Sequence, residues 1–446
     1  MTTRLMTTPT ATAATAATVA TVTDATGAAA TTAAAEATAG ASSTSTSTST
    51  STSTSTSTST STSTSIASTA SRIASIDALR GLVMIVMLLD HVRETFYLHL
   101  QVSDPMAVPG TPPELFFSRL AAHLCAPVFV FLTGLSAWLY ANPDGAPCRD
   151  ARAFLLKRGL LLIGLELTLV TFAWSGHFGV IYLQVIWAIG FSMLALAMLS
   201  RLPRWLLVAS GLTLVGGHNL LAGVVVATDS PWHAPWTLML HRDWLIPEGL
   251  VRVRVSYPAL PWVGVILLGF AMGPLFARAS DSDRRRRALL AIAAACLSLL
   301  ALLRGFNLYG ENAPWVRGAS TLETAMSWLN FTKYPPSLDF LLLTLGIGLA
   351  LLAVLERARG AFARVCAVFG GAPMFYYLLH LYLLLIGYRV ALAVLGPNQG
   401  TRLGIDEGRF ALIWLIWLAL IPLLYPPVKA FAAYKRRTRR AWVKYF

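Results

Sequence analysis

The sequence predicts an all-α protein, a bundle of about ten membrane-crossing helices preceded by a disordered tail. Three observations predict it. Hydrophobic residues make up 55% of the 446-residue chain and charged residues 13%, and the mean hydropathy of +0.61 is one that a soluble domain cannot keep in water. After Ser71 the apolar residues fall into stretches that each approach the roughly 20 residues needed to cross a hydrocarbon core. Basic residues recur in alternate connections between those stretches, the charge asymmetry that sets membrane orientation.

Taken in order, residues 1–70 are Ala, Thr and Ser in near-monotony, with a Ser-Thr alternation from Ser43 to Ser65. Nothing in them offsets the entropy of ordering, so a disordered tail is expected. A secretory signal needs a continuous apolar core behind its basic start; Arg4 is followed only by Ala-Thr mixtures. The membrane domain is expected over 71–430 and a basic cytoplasmic tail over 431–446. The spans fall near 75–98, 118–140, 154–174, 178–199, 205–227, 257–277, 286–305, 337–356, 366–393 and 409–428.

Basic residues cluster at Arg149 to Arg158, at Arg201 and Arg204, at Arg278 and Arg284 to Arg287, at Arg357 to Arg364, and at Lys435 to Lys444. An even span count places all five clusters on one side, the cytoplasm, with both termini. The net charge of +14 therefore reads as a topology signal and a contact for anionic membrane lipids, not as a nucleic-acid surface. The opposite connections, 99–117, 228–256 and 306–336, are longer and rich in Pro, Trp, His and mixed charge. Loops of that kind either cap a site or merely connect helices. Cys125, Cys148, Cys296 and Cys366 are scattered with no metal-binding spacing and read as packing residues. No metal is expected.

The first span organises the chain. It carries Asp77 and Arg80 at its start and Asp90 and His91 far along it. Ionisable groups at membrane depth usually face a bundle interior or a wet cavity. At about 100° per residue Arg80 and His91 share nearly one azimuth, about 16 Å apart along the axis, so both look into one cavity from different depths. Arg119 and His123, four apart on the next span, share a face and lie at the depth of Asp90 and His91. Gln184, His218, Asn219, Arg304, Lys333, Tyr376, Tyr377, His380 and Tyr382 converge on the same outer half.

Arg72, Ser75, Asp77, Arg80, Gly81 and His91 resemble the first-helix signature of the heparan-alpha-glucosaminide N-acetyltransferase-like bacterial membrane proteins, a family related to integral-membrane acyltransferases. The resemblance continues at His123 to Ser136, Tyr257 to Gly269, Lys333 to Gly346 and Phe375 to Leu383, and so runs from about residue 72 to the end. It implies a multi-pass inner-membrane enzyme that moves an acyl group, most simply acetyl, from cytoplasmic acetyl-CoA or another acyl-CoA to an extracytoplasmic amino sugar or envelope glycan. A homodimer is left open.

His91 is then either a histidine bonded structurally to a neighbour or a general base or acyl carrier, with Asp90 as its orienter. The relatives' active histidine between the first two spans corresponds to His123 or His99. Arg119 and His123 would meet the acceptor or a developing oxyanion. Asp77 and Arg80 either pair with each other or line a mouth for the donor's phosphates. The tandem proline after Lys333 and Tyr334 fixes where a helix starts and where Lys333 points. Tyr376 and His380 either pack the core or, with Lys333, orient the acceptor. The reading from another class is a transporter or lipid-handling protein that uses the same polar cavity without covalent chemistry.

Overall fold

The computed structural model describes residues 60–97 and 102–446. The expected tail therefore lies, as far as residue 59, outside the described residues; the first helix starts at Thr60, eleven residues before the expected start of the membrane domain at residue 71. In chain order the helices are α1 (Thr60–Phe96), α2 (Pro113–Ala122), α3 (Cys125–Ala141), α4 (Arg152–Leu165), α5 (Thr171–Ser175), α6 (Val185–Leu199), α7 (Arg204–Gly217), α8 (His233–Met239), α9 (Leu260–Ala271), α10 (Ser282–Gly305), α11 (Thr321–Trp328), α12 (Leu338–Leu355), α13 (Ala361–Gly370), α14 (Pro373–Leu395) and α15 (Ala411–Arg437). Five helical stretches among the described residues are long and apolar enough to cross a membrane: Pro113–Ala141, Ser282–Gly305, Leu338–Leu355, Pro373–Leu395 and Ala411–Arg437. α1 is longer than any of them but carries ionisable residues along its length.

A helix lies within each of the ten expected stretches, with differences that have local causes. The fourth stretch opens as a strand, β1 (Val180–Leu183), and only then becomes α6. β1 runs parallel to β3 (Arg252–Val255), which pairs antiparallel with β2 (Trp244–Ile246) in the order β1-β3-β2. The expectation of an all-α chain is corrected by this small sheet. Its sequence cue is the period-two run Arg252, Val253, Arg254, Val255, which suits a half-buried strand. The fifth stretch stops early, because Gly216 and Gly217 are poor helix residues and a short 3-10 turn at His218–Leu221 follows. The ninth breaks at Gly370, Gly371 and Ala372, and Pro373 takes the first turn of α14.

α1 lies at the centre, packed most extensively on α13 and flanked by α2, α3, α12, α14 and α15. Two glycines set that contact. A Cβ on Gly81 would overlap the carbonyl of Cys366, and one on Gly370 would overlap the carbonyl of Asp77. The two backbones touch there, the close approach that small residues permit between membrane helices. The Arg80-Gly81 pair thus couples a packing residue to the charged residue beside it. Around this core α3 packs on α9, α4 on α6, α7 on α9 and α10 on α12. α15 closes the bundle by donating from Trp417 Nε1 to Ile85 O at 2.7 Å and from Trp414 Nε1 to Ser118 Oγ at 3.0 Å.

Direct contacts tie neighbouring basic clusters together in pairs. Arg201 pairs with Asp150 at 3.0 Å, Arg204 donates to Ala271 O beside the 278–287 cluster, and Arg357 pairs with Asp283 at 2.7 Å. Arg285 forms a buried ion pair with Glu356. The expected C-terminal tail is not separate from the bundle: α15 continues to Arg437, and the Tyr445 ring stacks on Phe154 at 5.6 Å.

Candidate active site

One face of α1 lines a cavity of about 520 Å³ over most of the helix. At one end stand Asp77, Arg80, Ser136, Tyr140, Arg158 and Lys435; at the other stand Asp90, His91, Glu94, Gln184, Tyr257, Lys333, Tyr334 and Tyr377. Apolar side chains such as Met87, Phe129, Ile189 and Met374 line the middle. About 25 Å of helix separates Asp77 from Glu94 at 1.5 Å per residue. Arg80 and His91 do share this cavity, as their azimuths require.

At the basic end Arg80 Nη1 donates to Asp77 Oδ1 at 2.7 Å and to Gly370 O at 3.2 Å, and Nη2 donates to Ser136 Oγ at 2.9 Å. The ion pair and the cavity position therefore coexist. Arg158 and Lys435 add two further cations from α4 and α15, against the single carboxylate Asp77. Three cations facing one acid leave this end net positive, a setting that suits a polyanion. In the sequence Arg158 and Lys435 stand out only as members of basic clusters.

The other end is a dense and nearly balanced charge network. Arg93 donates from Nε and Nη2 to Asp90 Oδ1 at 2.9 and 2.7 Å, and Lys333 Nζ stands 3.6 Å from Asp90 Oδ2. Glu94 touches Arg93 at 3.4 Å. The expectation that Asp90 orients His91 is corrected here, because the carboxylate is turned toward Arg93 and Lys333. His91 Nδ1 instead meets His380 Nε2 at 2.7 Å, and His380 Nδ1 lies 2.8 Å from Tyr376 O. Trp174 packs edge-on against the His91 ring at 5.0 Å, and Tyr377 at 6.0 Å.

The remaining expected residues do not line the cavity. Arg119 is paired with Asp104 at 2.9 Å, and the Asp104 carboxylate also accepts from the backbone N–H of Lys333 and Tyr334 at 3.1 and 2.8 Å. Arg119 thus holds the loop that presents Lys333 and does not itself line the cavity. His123 is buried at the kink between α2 and α3, over the Phe340 ring at 5.1 Å, with both ring nitrogens unbonded among the described residues. Its neighbours Ala122, Cys125 and Ala126 form the wall, so the catalytic placement foreseen for His123 finds no support in this geometry. His99 lies outside the described residues. Tyr376 is buried and donates from its hydroxyl to Met84 O at 3.2 Å, and its spacing with His380 turns both toward α1.

Long-range bonds fix the loops over this end. Arg304 donates to the carbonyls of Ala313, Ser327, Trp328 and Asn330. Asn330 bonds both backbone groups of Met106, while His218 and Asn219 hold Pro336 and Leu338. Arg304, His218 and Asn219, foreseen as part of the outer convergence, support the loops together with Asn330. Tyr334 is placed between the Tyr257 hydroxyl at 3.3 Å and the Arg242 guanidinium, 4.9 Å from its ring centroid. Glu166 sits on a π turn, Glu166–Val170, and accepts from the N–H of Trp187 at 2.9 Å, fixing the start of α6 beside Gln184. Such turns are frequent at functional sites. Glu94 went unread in sequence, although it is three residues from His91 and shares its helix face. No group of His, Cys, Asp and Glu suited to holding a metal occurs among the described residues.

A helical protein whose interior cavity joins a cationic end to a histidine set among charges holds groups that can bind a polyanion and move a proton. Comparison with known families makes the class specific. The model of the heparan-alpha-glucosaminide N-acetyltransferase catalytic domain matches residues 72–304, just over half of the chain, and the chain belongs to this family of acetyltransferases. The match ends before Lys333 and His380, which complete the site from the unmatched part. No curated protein matches the chain.

Proposed function

We propose that the protein transfers an acyl group, most simply acetyl, from acyl-coenzyme A bound through the basic end of the cavity to an amino sugar or envelope glycan at the opposite end. The observation that carries this reading is the single cavity with Arg80, Arg158 and Lys435 at one end and His91 at the other. The donor is a long thioester with a phosphate-rich head, so its head needs cations and its thioester must reach away from them. His91 would be the general base or acyl carrier, Lys333 and Tyr257 would face the acceptor, and Asp77 and Arg80 would flank the donor's phosphates.

The same reading takes all ten helical stretches as spans of a cell inner membrane, with the basic end and both termini cytoplasmic. Donor and acceptor would then meet from opposite faces, and membrane lipids would surround the bundle. The test is transfer of isotope-labelled acetyl from acetyl-CoA to glucosamine by the protein in sealed vesicles of fixed orientation. Transfer is expected when acetyl-CoA is supplied on the side of the Arg284 to Arg287 loop, and glucosamine on the other. Transport of an unmodified solute with no labelled product would instead favour the transporter reading.

A further inference from the structure

The bond between His91 and His380 has a direction that the neighbouring carbonyl dictates. Tyr376 O can only accept, so His380 Nδ1, 2.8 Å from it, must carry the proton. A neutral imidazole holds one ring proton, which leaves His380 Nε2 as an acceptor. His91 Nδ1, 2.7 Å away, is then the donor, and His91 Nε2 is left with a bare lone pair. His380 itself does not line the cavity whereas His91 does. The rings are nearly parallel, 16° apart, and Trp174 and Tyr377 pack against His91 edge-on, so the imidazole is held in one orientation.

We infer that His380 is a positioning residue that fixes the tautomer of His91 and leaves its Nε2 as the base. The inference rests on the transfer reaction proposed above. In that reaction His91 Nε2 takes a proton from the acceptor's N–H or O–H as the acceptor atom bonds to the thioester carbonyl carbon. The C–S bond breaks, the thiolate leaves with its electron pair, and the proton passes from His91 Nε2 to sulfur. While His91 carries the extra proton, its Nδ1–H still donates to His380 Nε2, so the transient charge keeps a partner. Asp90 is occupied by Arg93 and Lys333 and does not share this task.

Two substitutions separate this role from packing and from acceptor binding. His380→Phe keeps a ring but removes the acceptor, whereas His380→Gln keeps an acceptor near Nε2 but removes the ring. With acetyl-CoA and glucosamine, H380F should lower kcat about a hundredfold, in the range for a mis-set general base, with KM for both substrates unchanged. H380Q should restore most of the rate. An active H380F beside an inactive H380Q, or a raised KM for glucosamine with kcat intact, would overturn the assignment. Nitrogen-15 NMR of histidine-labelled full-length protein in lipid nanodiscs reads the tautomer without any turnover. The wild type should show His91 protonated at Nδ1 and bare at Nε2. A proton on Nε2 would overturn the inference whether or not acetyl transfer is seen, while a correct tautomer with no transfer would count against the proposed reaction alone.

Discussion

The two ends of the cavity are built on opposite electrostatic plans. At the basic end, Arg80, Arg158 and Lys435 come from three separate helices and face one carboxylate, Asp77. At the far end, Arg93 and Lys333 face Asp90 and Glu94, so cations and acids match. An unbalanced cluster gains by binding an anion, because its mutual repulsion is relieved when the ligand arrives. A balanced and buried cluster gains nothing that way; it holds side chains in place around His91. On the proposed reaction the difference gives binding to one end and chemistry to the other, and each end is broken by its own substitutions.

The largest expected effect is at the chemical end. His91→Ala should reduce acetyl transfer by about a hundredfold to ten-thousandfold if His91 is a general base, and almost completely if it is an acyl carrier. Thermal unfolding should change little, and acetyl-CoA should still bind. A structural histidine would show the reverse, a lower Tm with residual activity.

Next is the network beside it. Asp90→Asn leaves Arg93 and Lys333 without their shared carboxylate, and breaking a buried pair by removing one partner typically costs about 3–5 kcal/mol. The expected readout is a marked fall in Tm, partly recovered by Lys333→Met in the same chain, since that removes one of the stranded cations. An Asp90→Asn protein as stable as wild type would show that the balance does not matter.

A smaller effect, of a different kind, is expected at the basic end. Arg158→Ala and Lys435→Ala should each raise KM for acetyl-CoA several-fold, to about tenfold, with kcat unchanged, the pattern of lost uniform binding. Raising the salt concentration should weaken the wild type toward the variants. A fall in kcat with KM unchanged would erase the contrast between the ends.

The smallest effect lies outside the cavity and serves as a reference. The backbone N–H groups of Arg284 and Asp283 donate to Asp281, which caps α10 and is held below the usual carboxylate range. Its contribution is present above the unfolded-state value and is lost as the pH falls through the lowered one. Asp281→Ala should therefore lower Tm slightly at neutral pH, with the difference vanishing in strong acid and with transfer kinetics untouched.

The first helix was readable because helical periodicity is a local property. Arg80 and His91 could be put on nearly one azimuth from spacing alone, and the direction of Lys333 read from the tandem proline after it. What spacing could not show was partner choice. Asp90 and His91 are neighbours in sequence but point to different partners, since adjacent helix positions face directions about 100° apart. His91 met His380, 289 residues further on, and that pairing depends on how α14 packs on α1. Arg119 and His123 lie one turn apart, yet Arg119 reaches Asp104 in the loop while His123, at the end of α2, packs over Phe340. Arg158 and Lys435 were hidden by a second meaning: the charges that orient a membrane helix can also line a mouth. The strand at Val180 was missed because a short apolar run reads equally as helix or strand.

In the proposed reaction one cavity holds the donor's anionic head at the basic end and its thioester toward His91. Thermal unfolding of the full-length wild type with acetyl-CoA and with acetyl-pantetheine, which lacks the nucleotide phosphates, tests it most directly. A ligand at about a hundred times its Kd stabilises by about 2.7 kcal/mol, enough to move Tm clearly. Acetyl-CoA should raise Tm, acetyl-pantetheine should do so far less, and the Arg158→Ala/Lys435→Ala double variant should lose the difference between them. No shift with any coenzyme A ester, alongside stabilisation by a transported solute or a lipid, would contradict it.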